Sequence, residues 1–394
     1  EIGRAGKKVE LKRVKEIESQ INHDLMAMVR ALAEKCRAGA GGYVHLGATS
    51  YDIEDTATAL ILRDAVNALE KRAARVRDVL ISLAKKHKKT VCIGRTHGQH
   101  AVPTTYGMKF ALYVEEMRRN LERLDEVKKR IYVGKMTGAV GTMATLAEIN
   151  PAKAEEVQNI LMRELGLTPA RVTNQVVQRD RHAETVFVVC LVACALEKIA
   201  KEIRNLQRSE ILEVAEPFKS RQVGSSTMPQ KRNPHRCERV CGLARVVRGN
   251  LLVTLENIPL EHERDLTNSA SERIAIPEAF MITNYMLKEM EDILANLTFF
   301  PQNIRRNLEM SMGLVMAERV MIALTKKGMG RQAAHEKIRE ASITAFSGRK
   351  HLKEVLARDR EVGKLLSRGE LEKLFNPETY VGRAEEIVER ATRA

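Results

Sequence analysis

The chain has 394 residues, 44% of them hydrophobic and 30% charged, and carries a formal charge of +15. That length provides a large buried core and exceeds one small domain, so two or three domains are expected. A basic balance fits nucleic acid, a membrane surface or anionic small molecules. Nucleic-acid binding calls for basic clusters interleaved with stacking aromatics, whereas here aromatics are 4% of residues and the basic side chains are spread along helical stretches among acids.

From the N-terminus, residues 1–50 form a small helical segment with a break at Gly39-Ala40-Gly41-Gly42. Five long helices are expected over 51–87, 104–131, 180–215, 235–257 and 273–297, each bounded by Gly, Pro, Ser or Thr. Ala, Leu, Glu, Lys, Arg and Met dominate them, residues that lose little entropy in a helix. The basic run Lys85-Lys86-His87-Lys88-Lys89 reads as a solvated helix end, where cations favour the dipole. Val91-Cys92-Ile93 is the single strand candidate.

In the third helix Val186, Val189, Ala193, Leu196, Ala200 and Ile203 recur at spacings of three and four, a packing seam. From 186 to 196 almost every residue is apolar, which calls for cover on all sides and hence for oligomerisation through these helices. That run falls short of the ~20 residues of a membrane span. Shorter helices follow from about Pro301. The expected fold is all-α, with domains 1–50, 51–300 (the long-helix bundle) and 301–394. Six cysteines show no CxxC pair. Cys190 and Cys194, like Cys237 and Cys241, are same-face helical neighbours, which suits buried thiols in a reducing cytoplasm. No secretory leader is visible, and a cytoplasmic protein is expected.

Three loops carry chemistry. In His45-Leu-Gly-Ala-Thr-Ser-Tyr-Asp52, Ser50 is a helix-capping residue and Asp52 suits a first turn; capping alone accounts for both, and so does a carboxylate or phosphate site. Residues 94–107, Gly-Arg-Thr-His-Gly-Gln-His-Ala-Val-Pro-Thr-Thr-Tyr-Gly, place His97 and His100 in polar surroundings. They read either as hydrogen-bonded turn residues or as a general acid or base; no third ligand accompanies them as a metal site requires. The third, Gly224-Ser-Ser-Thr-Met-Pro-Gln-Lys-Arg-Asn-Pro234, joins two long helices with far more hydrogen-bonding groups than a linker needs.

The third loop resembles the GSSxMPxKxNP signature of the fumarase/aspartase superfamily. HLGATSYD, GRTHGQHAVPTTYG, GAVGTMA (138–144) and HERDLTNSASER (262–273) agree with it over about His23 to Lys326, and within the superfamily they are similar to the adenylosuccinate lyase family. The resemblance implies three helical domains whose central helices assemble into a tetramer, with active sites shared between subunits and no metal or organic cofactor. It implies a β-elimination that releases fumarate from a succinylated purine nucleotide. Ser225 is then the base, with Ser226 the fallback, and His97 the acid. Thr49, Ser50 and Thr96 grip the succinyl carboxylates, and Lys231 and Asn233 stabilise the dianionic intermediate. Gln175 binds ligand, unless it is simply a polar helix-start residue. His23, Asp24, Arg264, Ser269 and Arg273 form the nucleotide and phosphate site.

Glu238 holds a neighbouring histidine charged, such as His45 of another subunit, or is an ordinary exposed carboxylate. The Arg-Tyr pair that the resemblance places near the N-terminus has no counterpart at Gly3-Arg4-Ala5. Asn22 stands where an Arg is often found. The charge of +15 then serves a multiply anionic substrate. The rivals are another fumarate-releasing lyase, such as argininosuccinate lyase or aspartase, and an inactive basic helical scaffold that binds RNA.

Overall fold

The computed structural model describes residues 1–218 and 221–393. The five long helices run Ser50–Lys86, Tyr106–Ile131, Asp180–Leu206, His235–Glu256 and Thr267–Ala295, with shorter helices before and after them. The fold is helical and multi-part, as the composition requires. Two helix boundaries differ from expectation. The third ends at Leu206 rather than 215, because Leu212 adopts a left-handed φ of 44° and turns Val214–Ala215 into a two-residue strand against Thr298–Phe299. The fifth starts at Thr267 rather than 273, because the Asp265 carboxylate accepts the Thr267 N–H at 2.7 Å and caps the helix early.

The stretch around His97 is the larger correction. Val91–Thr96 (β1) and Gln99–Thr105 (β2) pair antiparallel as a hairpin, so the expected polar loop is mostly strand. The basic run is also not simply solvated. His87 is buried and stacks on Phe299 with ring centroids 4.0 Å apart, and burial, helped by Lys86, lowers its pKa. Lys88 bridges Glu385 and Glu389, each at 2.7 Å.

The chain divides into two compact units, 1–68 with 124–188 and 249–280, and 69–123 with 189–248 and 281–394. Each boundary falls inside a long helix. The first unit buries Val14, Ile17, Ala27 and Ala31 between the helices Leu11–Ile21 and Asp24–Lys35, and Ala59, Met162 and Leu167 in a separate cluster. In the second, Val320, Leu324, Ile338, Leu352 and Leu356 form one cluster, and Ile93 on β1 joins Leu308, Val315 and Met316 in another. The apolar stretch of the third helix is already covered within the single chain: from Val186 to Leu196 only Phe187 is exposed, with Leu191 and Cys194 half-buried. Its apolarity is thus no argument for oligomerisation. Among the described residues no helix is long and apolar enough to cross a membrane.

Polar groups are buried with equal care. On the first long helix Asp52 and Asp55 are 1% and 4% exposed, a burial that isolated carboxylates do not tolerate. Asp52 pairs with the fully buried Lys135 and accepts the N–H groups of Thr49 (2.8 Å), Thr137 (2.9 Å) and Gly138 (3.1 Å). Asp55 takes a two-pronged contact from Arg179 at 2.8 and 2.9 Å, and Arg179 also reaches Glu272 at 3.0 Å. Burial lowers the Lys135 pKa while Asp52 opposes that shift. Lys135→Met, which strands Asp52 in the interior, is expected to cost about 3–5 kcal/mol in urea unfolding. An unchanged midpoint would show that the pair contributes nothing.

Candidate active site

In the first unit the N-terminal helices and the two long helices beginning at Ser50 and Thr267 enclose a cavity of about 690 Å³. His23, Asp24, Ser50, Arg264, Ser269 and Arg273 line it, together with Asn22 and Glu54. Five of the residues expected to hold a nucleotide phosphate thus converge. His23 starts the Asp24–Lys35 helix, its Nδ1 accepting the Met26 N–H at 3.3 Å, and Asp24 receives the Arg273 guanidinium at 3.4 Å. Arg264 lies 3.8 Å over the Tyr51 ring and donates to Gln175 Oε1 at 2.8 Å. Gln175 is not a helix-start residue: it sits in a loop before the third long helix, and its Nε2 donates to Ala139 O at 3.0 Å. One side chain therefore joins the 138–144 and 262–273 loops.

Thr49 is fixed by the bond from its N–H to Asp52, so Asp52 does more than cap the helix. His45 takes a left-handed φ of 70° in the same loop. Glu54 was not anticipated; burial and the nearby Asp24 raise its pKa even though Arg273 and Arg264 oppose this.

In the second unit His97 and Gly98 form the two-residue turn of the β1–β2 hairpin, with φ of 53° and 75°. Both values are positive, as a mirror-image hairpin turn demands, and Gly98 meets that demand without strain. His97 does not: a side chain in the left-handed region costs roughly 1–2 kcal/mol. It is also exposed, so packing offers no compensation. Thr96 precedes it, exposed and paired with Gln99 across the hairpin. His100, half-buried on β2, has its pKa lowered by burial and by Arg95.

The 224–234 loop follows in the same unit. Gly224 packs so closely that a Cβ there would lie 2.2 Å from Lys231 O, and Asn233 Nδ2 donates to Gly224 O at 3.0 Å, closing the loop on itself. Within it Ser225 Oγ accepts the Met228 N–H at 3.1 Å. Lys231, Asn233 and Glu238 line a cavity of about 810 Å³ with Lys201, Arg204 and Arg208. Glu238 is exposed and lies 3.9 Å from Arg204. Neither Ser225 nor His97 lines this cavity. Among the described residues no group of three or more His, Cys, Asp or Glu is placed to hold a metal ion.

The residues that sequence reasoning missed are the buried anchors. Glu216 accepts the N–H groups of Arg236 (3.2 Å) and Cys237 (2.9 Å) at the start of the fourth long helix, just beyond the loop. Its signal in the sequence is faint, a carboxylate in the apolar run Val214-Ala215-Glu216. His97→Gly relieves the turn strain and is expected to leave the thermal midpoint equal or higher. A loss of more than about 1 kcal/mol in unfolding would show that His97 supports the fold instead.

Comparison with known proteins gives the family. Residues 3–249 match the family described as Lyase, and residues 313–391 match the one described as Adenylosuccinate lyase C-terminus. The adenylosuccinate lyase of Pyrococcus horikoshii is 56% identical over 382 residues, 97% of this chain and 84% of its own length. That of Methanothermobacter thermautotrophicus is 53% identical over 383 residues, again 97% and 84%. Among solved structures, a fumarate lyase from Mesorhizobium sp. BNC1 superposes with a TM-score of 0.90 at 34% identity, covering 99% of this chain and 88% of its own. A 3-carboxy-cis,cis-muconate lactonizing enzyme from Pseudomonas putida gives 0.87 at 34% identity, with 98% and 85% covered. With more than half of its length matched by the lyase family and 97% of it aligned at 56% identity with a curated adenylosuccinate lyase, the chain belongs to the adenylosuccinate lyase family of carbon–nitrogen lyases.

Proposed function

We propose that the chain eliminates fumarate from adenylosuccinate, giving AMP, and from the succinylated carboxamide precursor SAICAR, giving AICAR. Ser225 removes the proton from the carbon beside one succinyl carboxylate. The electron pair spreads into that carboxylate as a dianion, the adjacent C–N bond breaks, and His97 protonates the departing purine-side nitrogen. The observation that carries this reading is the backbone N–H of Met228 aimed at Ser225 Oγ from 3.1 Å. A serine hydroxyl is a poor base in water, and a preorganised donor is what lowers the cost of its alkoxide. Lys231 and Asn233 in the same loop add to that stabilisation and to that of the dianion, and closure of the loop over substrate excludes water.

Thr49, Ser50 and Thr96 hold the succinyl carboxylates. The cavity of His23, Asp24, Ser269, Arg264 and Arg273 takes the nucleotide, with two guanidiniums suited to a phosphate, and Gln175 orients the ligand from the loop junction. Glu238 holds His45 of a neighbouring subunit in its charged form. These parts come from loops far apart in the chain, in keeping with active sites built by several subunits of a homotetramer in the cytoplasm. Support for assembly comes from apolar side chains left exposed on the first, fourth and fifth long helices, Ile61 at 67%, Leu252 at 60%, Ile274 at 66% and Met281 at 65%. Residues 1–50, 51–300 and 301–394 are proposed as the three functional segments.

Fumarate release from adenylosuccinate by the purified protein is the direct test, with argininosuccinate and aspartate as competing substrates. Release from one of those alone assigns a different lyase. Ser225→Ala and His97→Asn are each expected to lower kcat by ~10²–10⁴ with the fold intact, as removal of a general base or acid does. Near-normal turnover in either removes that residue from its role. Arg273→Ala, at the phosphate end, is expected to raise KM with little change in kcat. In light scattering a tetramer is expected, and a monomer at assay concentrations overturns the shared-site arrangement.

A further inference from the structure

Glu213 is fully buried, on the segment that leaves the third long helix and leads to the 224–234 loop. Three side chains converge on its carboxylate. Arg95 Nη2 on β1 donates to Oε1 at 2.5 Å, and Asn307 Nδ2 donates to the same oxygen at 2.9 Å. Tyr106 Oη, at the residue that follows β2, donates to Oε2 at 2.5 Å. Burial, reinforced by the Glu213 charge, pushes the Tyr106 phenol well above its ordinary pKa, so it remains a donor at any working pH. The backbone of Glu213 is pinned as well, its N–H donating to Leu206 O and its carbonyl accepting from Phe300 N, both at 2.9 Å. Arg95 lies on β1 two residues before His97, and Tyr106 is the first helical residue after β2, so one carboxylate ties the first leg of the hairpin, close to its His97 tip, to the helix into which the second leg runs.

We infer that Glu213 is a positioning residue for the elimination: by clamping Arg95 and Tyr106 it fixes where the hairpin presents His97. This rests on the proposed role of His97 as the acid. The hairpin benefits from such a clamp because residues 96–99 at its tip are exposed and have little packing of their own. A charged acceptor suits three donors. A neutral amide does not, since its NH₂ would face another donor.

The test is a double-mutant comparison read by steady-state kinetics of fumarate release. Glu213→Gln is expected to lower kcat on the order of 10- to 100-fold while KM stays nearly constant, the effect of misplacing a catalytic group by about an ångström. In a His97→Asn background the same substitution is expected to cost nothing more, because the group it positions is gone. An additive loss in the double variant would assign Glu213 to general stability and overturn the inference. If Glu213→Gln does not fold, Tyr106→Phe, which removes one leg of the clamp, carries the same comparison. There, unchanged kcat or an additive loss overturns the inference equally. Failure of the underlying reading is distinguishable, because it appears as near-normal kcat in His97→Asn alone, before Glu213 is touched.

Discussion

Buried carboxylates hold this protein's functional loops. The loops are rich in Gly, Ser, Thr and Asn and have little apolar surface, so the hydrophobic effect that fastens the long helices gives them almost no grip. A buried anion accepts several hydrogen bonds at once and draws each more strongly in a low-dielectric interior than in water. Asp52 does this in the first unit, tying Thr49 to Thr137 and Gly138 with Lys135 as counter-charge. Glu213 and Glu216 do it in the second, one for the hairpin and one for the start of the helix beyond the 224–234 loop.

Such anchors are costly in isolation. A carboxylate moved from water to the interior loses several kcal/mol of solvation, and only close pairing offsets it. Asp52 and Asp55 sit one helical turn apart, so each also repels the other; Lys135 and Arg179 are the answering charges. The net stability gained from such pairs is small, because the attraction between the charges is largely offset by their desolvation.

The loop positions bear a complementary strain. His97 occupies a left-handed turn position that glycine would fill more comfortably, and the hairpin legs hold it there. The cavity lined by His23, Asp24, Arg264 and Arg273 relies less on burial, with exposed Arg273 and Asp24 facing each other at 3.4 Å.

Much of this was legible in the residues alone. Helical composition, the approximate positions of the five long helices and the three polar loops follow from local residue types, whereas the set of His23, Asp24, Arg264, Ser269 and Arg273 came from the family resemblance. Local signals sufficed because helices form from contacts three and four residues apart and because catalytic groups are concentrated in short motifs. What the tertiary structure decided depends on pairing across long separations. The hairpin around His97 was hidden because its strands contain polar residues on both faces and its turn uses His-Gly in place of a stronger turn dipeptide. The burial of the third helix within one chain, contrary to the reading of its apolar run, depended on neighbours that periodicity does not identify. The roles of Lys135 and Glu213 were invisible for the same reason: a charged residue in sequence looks solvated until its ion-pair partner, 83 residues away for Lys135 and 118 for Glu213, is brought alongside.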